Sequence, residues 1–159
     1  MAITIKKVTT RRELERFIRF NYLLYKNNPY SVPDLFDDML NTFNKKKNAA
    51  FEFCEADYFL AYREGKIVGR VAAIINHKAV RFGWIDFIDD AEVSDALIRT
   101  VEEWGKERGM THIQGPLGFT DFDAEGMLIE GFDQLSTMAT IYNYPYYPQH
   151  LERMGFEKD

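Results

Sequence analysis

The chain ends in the stretch Tyr142-Asn-Tyr-Pro-Tyr-Tyr-Pro-Gln-His-Leu-Glu-Arg-Met-Gly155-Phe-Glu-Lys-Asp159, which carries the most information about the fold. Its prolines and tyrosines lead into a short amphipathic segment, which predicts a helix. Gly155 can take the left-handed conformation in which helices commonly end, and Phe156 then opens an extended segment. Only three residues follow Phe156, so we expect the closing strand to be missing or truncated.

Length and composition predict one globular domain over residues 1–159, with 46% hydrophobic and 28% charged residues. No apolar run approaches the roughly 20 residues of a membrane-spanning helix, so we expect no membrane partner. The single cysteine, Cys54, cannot form an internal disulfide, which favours a cytoplasmic location. A formal net charge of −5 argues against nucleic acid as the main partner.

The charge is unevenly distributed along the chain. Residues 1–50 carry ten Lys and Arg against five Asp and Glu, whereas residues 51–159 carry ten against twenty. Two solvated faces that attract each other on folding would give this pattern. A basic N-terminal rim that includes Lys45-Lys46-Lys47 and meets an anionic ligand would give it equally. Charge alone does not choose between these interpretations.

The N-terminal third predicts one strand and two helices. Residues 3–8 alternate and are rich in β-branched side chains, which predicts a strand. Thr10 and Glu13 have the spacing of a capping box, so a helix should begin here and end before Pro29. A second helix is predicted over residues 34–44 from its apolar periodicity.

The middle of the chain predicts a hairpin and then a crossover. Residues 58–62 and 67–75 read as two strands around Glu64-Gly65, whose glycine can supply the positive φ of a tight turn. A third strand is predicted over residues 82–88. A helix that Asp89 or Asp90 caps follows it.

The C-terminal part continues the pattern. The crossover helix ends at Gly109, and further strands are predicted over residues 111–115 and 137–142. A strand, a crossover helix and a strand imply a parallel or mixed sheet. The predicted fold class is therefore α/β (α+β), with a mixed central sheet flanked by helices.

This order of elements resembles that of the Gcn5-related N-acetyltransferase (GNAT) superfamily. Within it, the chain is similar to the N-terminal half of a group of longer bacterial acetyltransferase-like proteins, which have a second acyltransferase-like half. The motifs that carry the resemblance are residues 65–74, 82–87, 89–90, Trp104, 115–116, 126–133, Asn143, 146–147 and 155–156. The resemblance implies that this chain is the first half of such a protein.

The resemblance also implies where an acyl-CoA would bind. In the superfamily, acetyl-CoA lies along the strand after the hairpin, which makes Trp84, Ile85 and Phe87 candidate cofactor-binding residues for acetyl-CoA or another acyl-CoA. Asn143, at the predicted strand-to-helix transition, is the best polar candidate for ligand contact.

The turn that should hold the CoA pyrophosphate departs from the superfamily. That turn normally presents glycines and backbone N–H groups to the phosphates. The matching residues 89–95 contain no glycine and four carboxylates. One carboxylate about 4 Å from a phosphate charge costs roughly 1–4 kcal/mol, so two or three of them more than cancel a helix-dipole contribution of about 0.3–1 kcal/mol. We expect the pyrophosphate site to be degenerate.

The expected general acid is also displaced. The superfamily often places a tyrosine four residues before the final Gly-Phe, but that position is Leu151 in this chain. Tyr146 and Tyr147 lie about one turn earlier and are the candidate catalytic residues, since a tyrosine needs only hydrogen-bond reach of the thiol. The alternative is that they are aromatic packing at the start of the helix.

No metal site is predicted. Residues 121–130 imitate the start of a calcium loop, but Phe132 stands where the bidentate Glu should be. His77, His112 and His150 have no metal-binding spacing with one another or with Cys54.

Two functional hypotheses follow from the sequence. The first is an acyl-CoA-dependent N-acyltransferase of the GNAT type, acting on a small-molecule amine. The second is a non-catalytic GNAT-like structural or ligand-binding domain with a degenerate CoA pyrophosphate site. The missing final strand would leave an open sheet edge, which favours a homodimer or pairing with the second acyltransferase-like half.

Overall fold

A computed structural model describes residues 2–76, 79–120, 122–136 and 141–158 of the chain. Its centre is a five-stranded sheet whose strand order follows the sequence. The strands are β1 (Thr4–Lys7), β2 (Cys54–Arg63), β3 (Lys66–Asn76), β4 (Ala79–Phe87) and β5 (Ile113–Gln114). Strands β1 to β4 pair antiparallel, and β4 pairs parallel with β5. The predicted mixed α/β sheet is therefore confirmed.

Four α-helices flank the sheet in the described residues. They are α1 (Arg11–Leu24), α2 (Phe36–Phe43), α3 (Ala91–Glu107) and α4 (Tyr146–Arg153), with a short 3-10 helix at Ala49–Glu52. The predicted capping box is present, because the Glu13 N–H donates to Thr10 Oγ1 and the Thr10 N–H donates to Glu13 Oε1. Gly109 and Gly155, which follow α3 and α4, both have positive φ, as predicted for helix ends.

The two faces of the sheet support separate cores. On β3, Val71 and Ala73 point to the core that α3 and α4 cover, and Ala72 and Ile74 point to the core of α1 and α2. This alternation follows from the period of two in a strand. All four side chains are fully buried, so β3 contributes to the cores on both faces of the sheet.

The C-terminal end differs in detail from the prediction. Of the strand predicted over residues 137–142, residues 137–140 lie outside the described residues, and Tyr142 is not in a strand. No strand follows α4 within the described residues, which extend to Lys158. Phe156 instead packs its ring against Phe82, with a centroid distance of 5.3 Å.

Candidate functional site

The site begins at an irregularity in β4. The β3–β4 register shifts between Arg70 and Ala72, and Trp84 has a φ of +46°, which is rare for a residue with a side chain. Just before it, Gly83 lies against the segment after β5. A Cβ at Gly83 would lie 2.4 Å from the Leu117 carbonyl oxygen, so this close approach requires glycine.

A cavity of about 110 Å³ lies beside this bulge. It is lined by α1, by the connection from α1 to α2, by β3 and β4, by the segments after β5, and by α4. Of the residues predicted to bind a cofactor or to act in catalysis, Trp84, Ile85, Asn143 and Tyr147 line it. The structure therefore brings four of these six residues to one place.

A buried ion pair forms one wall of the cavity. Arg70 and Asp86, from neighbouring strands, are 4% and 5% exposed. Arg70 Nε donates to Asp86 Oδ2 at 2.8 Å, and one Arg70 terminal nitrogen donates to the Phe17 carbonyl at 3.0 Å. A buried charge is tolerated only when it is paired and hydrogen-bonded, and this pair meets both conditions.

Two further side chains donate hydrogen bonds to the Asp86 carboxylate. Asn21 Nδ2, from α1, donates to Asp86 Oδ2 at 2.9 Å. The Tyr147 hydroxyl, from α4, donates to Asp86 Oδ1 at 2.7 Å. Asp86 therefore connects the sheet to a helix on each of its faces. Asp86 was not among the predicted site residues, although a lone carboxylate in the apolar stretch 82–88 is a signal that could have identified it.

A second carboxylate lines the cavity from the α1–α2 connection. Asp34 is exposed to solvent overall, but the surrounding protein shields its carboxyl group from water. This desolvation raises the pKa of the Asp34 carboxyl. Arg70 opposes this rise, and the negative charge of Asp86 adds to it. The Tyr22 hydroxyl donates to the Asp34 carbonyl at 2.7 Å and so fixes the position of this segment.

The two candidate catalytic tyrosines have different surroundings. Tyr147 is 1% exposed and stacks on Phe87 with a centroid distance of 4.5 Å. Tyr146 is half-buried and donates its hydroxyl to the Phe87 carbonyl at 2.6 Å. Burial is the main cause that raises the pKa of both hydroxyls, so both keep their protons at neutral pH.

Asn143 uses its side chain to hold a neighbouring segment. Its Oδ1 accepts from the Leu128 N–H at 2.7 Å, and its Nδ2 donates to the Leu128 and Tyr144 carbonyls at 3.1 and 3.0 Å. These bonds occupy both donors of the amide. Asn143 therefore shapes the cavity wall, and its predicted role in ligand contact stays a prediction.

The N-terminus of α3, where a CoA pyrophosphate would be expected, is occupied by the chain's own groups. Asp90 caps the helix, because its Oδ1 accepts from the Glu92 N–H at 2.9 Å. Arg63 donates to the other Asp90 oxygen. This hydrogen bond from Arg63 is the main cause that lowers the pKa of Asp90.

The neighbouring carboxylate is held from α4. Asp89 Oδ1 lies 2.8 Å from His150 Nε2, and His150 Nδ1 lies 2.7 Å from the buried Ser94 hydroxyl of α3. Together with the Asp90 cap, this arrangement does not fit a pyrophosphate, since two carboxylates already stand at the helix N-terminus.

Helix α4 also covers the end of β4. The Ile88 N–H donates to the Val68 carbonyl of β3, so the polar backbone groups of the preceding Phe87 face away from β3. The Phe87 carbonyl accepts the Tyr146 hydroxyl, and the Phe87 ring also contacts His150 at 5.0 Å. The strand edge along which the superfamily places acyl-CoA is therefore partly covered by the chain itself.

Two negative findings concern the described part of the chain. Among the described residues, no group of three His, Cys, Asp or Glu could hold a metal ion. None of the described helices combines the length and the apolar character that crossing a membrane requires.

This architecture is the GNAT fold. A tandem GNAT protein from the clavulanic acid biosynthesis pathway matches 96% of this chain with a TM-score of 0.66 at 13% identity, and the chain covers 43% of that protein. AAC(6')-Iy, in complex with a CoA bisubstrate analogue, matches 99% of this chain with a TM-score of 0.58 at 16% identity, and 92% of its own chain is covered. At these identities the likeness defines the fold alone.

Two curated bacterial proteins are similar in sequence. Protein YghO of Escherichia coli is 32% identical over 97% of this chain and 41% of its own length. The bacterial ceramide synthase of Caulobacter vibrioides is 30% identical over 98% of this chain and 43% of its own length. The chain thus spans less than half the length of these relatives. No family model matches it.

Proposed function

We propose that the chain is the amine-binding domain of an N-acyltransferase of the GNAT type, and that the amine is a long-chain amino alcohol of the kind found in ceramides. The observation that carries this proposal is the cavity beside the β4 bulge, which has the carboxylates of Asp34 and Asp86 in its walls. The similarity to a ceramide synthase supports the substrate class.

The charges of the cavity favour a cation. Two carboxylates and the single guanidinium of Arg70 leave a net charge of about −1 among these wall residues. A protonated amine about 5 Å from one uncompensated carboxylate gains roughly 3 kcal/mol at an effective dielectric constant of 20. Asn21 and Ser31 also line the cavity and can accept hydrogen bonds from the amine or from neighbouring hydroxyls.

An amine must lose a proton before it can attack an acyl group, and Asp34 is the group proposed to take it up. Its raised pKa lies closer to neutrality than that of an ordinary carboxyl, and its residue is in contact with solvent. Asp86 is saturated by three donors and instead orients the site. The prediction that Tyr146 or Tyr147 supplies a proton is not required by this proposal.

A second candidate function rests on the α3 N-terminus. Because Asp90 caps that helix and α4 covers the end of β4, this domain by itself would bind the amine without binding acyl-CoA. It would then be the non-catalytic, ligand-binding half of a longer protein. In this second candidate function, the residues at the N-terminus of α3 take no part in acyl transfer.

Calorimetric titration of the purified chain tests the proposal and separates the two candidates. A soluble short-chain 2-amino-1,3-diol should bind, and its uncharged N-acetyl derivative should bind at least about tenfold more weakly. Asp34→Asn should weaken amine binding, whereas Asp95→Asn, a carboxylate change on α3, should not. Equal binding of the amine and its N-acetyl derivative would reject the amine site.

The same chain is then titrated with acyl-CoA. Amide formation in the presence of amine and acyl-CoA, detected by mass spectrometry, would support a complete acyltransferase. Amine binding with no heat from acyl-CoA would support the ligand-binding half.

A further inference from the structure

One face of α1 is an arginine stripe, which we define as Arg11, Arg12, Arg16 and Arg19. All four are exposed, whereas Phe17, Ile18 and Phe20 of the same helix are buried. At 100° per residue, the four arginines fall within an arc of about 140°. The exposed Lys26 follows just after the helix.

Few acidic groups neutralise this stripe. Arg19 approaches Glu15 at 3.7 Å, and Arg11 lines a surface cavity together with Asp37 of α2. Among the described residues, Arg12 and Arg16 have no carboxylate within 4.0 Å. Two of the four arginines are therefore available to an external anion.

Exposed leucines lie at the end of the stripe and beside the cavity. Leu23 follows the stripe on the same arc of α1 and is 65% exposed, and Leu35 of the α1–α2 connection is 55% exposed. Leu135 is 70% exposed and precedes Ser136, which lines the cavity and donates its N–H to the Tyr30 carbonyl. Isolated exposed leucines are ordinary, but one on the basic arc of α1 and two next to residues that line the cavity are a patterned surface.

We propose that the arginine stripe and these leucines form a peripheral docking surface for an anionic phospholipid bilayer. Clustered basic residues are attracted to anionic headgroups, and exposed leucines beside them can reach the acyl boundary. The apolar face of α1 itself stays packed in the core, so the arginines carry most of this contact. Nucleic acid would use the arginines but would leave the leucines in water. The proposal does not depend on the proposed amine site.

The charge distribution of the chain would orient it on such a surface. Residues 1–50 carry ten basic against five acidic residues, whereas the remainder carries ten against twenty. An anionic bilayer therefore attracts the first segment and repels the second. This proposal departs from the sequence-based expectation of no membrane partner. That expectation rested on the lack of a spanning segment, which a peripheral contact does not need.

Co-sedimentation with vesicles tests this surface, without amine or acyl-CoA present. The chain should bind vesicles of phosphatidylglycerol and phosphatidylcholine in equal parts, and should not bind pure phosphatidylcholine at the same ionic strength. Arg12→Gln/Arg16→Gln should weaken binding by roughly 25-fold, since each basic residue near such a surface contributes about fivefold. The matched control is Arg99→Gln, an exposed arginine of α3, which should bind like the wild type.

Leu135→Gln should also weaken vesicle binding, because the leucine loses its apolar contact. Circular dichroism of each variant checks that the fold is kept. Equal binding to both vesicle types, or an equal loss in Arg99→Gln, would overturn the proposal. So would charge-dependent binding of a single-stranded RNA probe with no binding to vesicles.

Discussion

Substitution of Arg70 by methionine would test the buried charge cluster most directly. Methionine fills a similar volume but leaves the Asp86 carboxylate without its guanidinium and the Phe17 carbonyl without its side-chain donor. Removal of one partner of a buried ion pair costs about 3–5 kcal/mol. With a urea slope of about 2 kcal/mol per M, the unfolding midpoint should fall by roughly 1.5–2.5 M.

Urea unfolding followed by tryptophan fluorescence measures this change, since Trp84 borders the same cavity. The matched control is Arg99→Met, an exposed arginine, which should change stability by no more than about 0.5 kcal/mol. The double variant Arg70→Met/Asp86→Asn leaves no buried charge unpaired, so it should be more stable than Arg70→Met by about 2 kcal/mol.

Two results would refute this reasoning. One is an Arg70→Met midpoint within about 0.5 M of the wild type, which would mean that Asp86 does not depend on the guanidinium. The other is a double variant whose loss of unfolding free energy equals the sum of the losses in the two single variants. Stability changes add for independent sites but not for residues that interact.

Three other predictions concern separate parts of the fold. Gly83→Ala should destabilise the chain by about 2–3 kcal/mol in thermal unfolding, because the new Cβ would lie 2.4 Å from the Leu117 carbonyl oxygen; a variant as stable as the wild type would contradict this close approach. Glu13→Gln should destabilise at pH 7 and much less near pH 3, since hydrogen bonds, chiefly from a backbone N–H two residues before α1, lower the pKa of Glu13. The stabilisation is thus present above the unfolded pKa and lost as pH falls through the folded one, and a pH-independent difference would count against it. Tyr147→Phe should cost about 1.5–3 kcal/mol by urea unfolding, because it removes a donor from the buried Asp86 carboxylate; a cost below about 0.5 kcal/mol would argue that the bond is not formed.

Local rules predicted most of the fold. The capping box, the turn at Glu64-Gly65 and the glycine after α3 are decided within a few residues, and the structure places each as predicted. The end of α1 was less well predicted, because Pro29 marks only where a helix cannot continue. The helix itself ends at Leu24.

The candidate site could be predicted only in part. Trp84, Ile85 and Tyr147 were predicted from the family resemblance and Asn143 from its polar position after a predicted strand, but the charges that define the cavity were not predicted. Asp86 forms hydrogen bonds with residues 16, 61 and 65 positions away in the chain. The periodicity of a helix or a strand does not predict contacts at such separations. A helical tyrosine and a strand carboxylate are ordinary by themselves, and only the fold brings them together.

The contacts of α4 would make any binding of acyl-CoA along the edge of β4 a competition with the chain itself. The Phe87 carbonyl is taken by the Tyr146 hydroxyl, and Asp89 by His150, both from α4. A ligand that needs this strand edge can bind only the fraction of molecules in which the Tyr146 and His150 side chains have released these two groups, so its apparent affinity falls by that fraction. If this release costs about 2–3 kcal/mol, two ordinary hydrogen bonds to partly charged groups, the affinity falls roughly 30- to 150-fold. Side chains of the final helix would thus raise the ligand concentration that half-fills this edge.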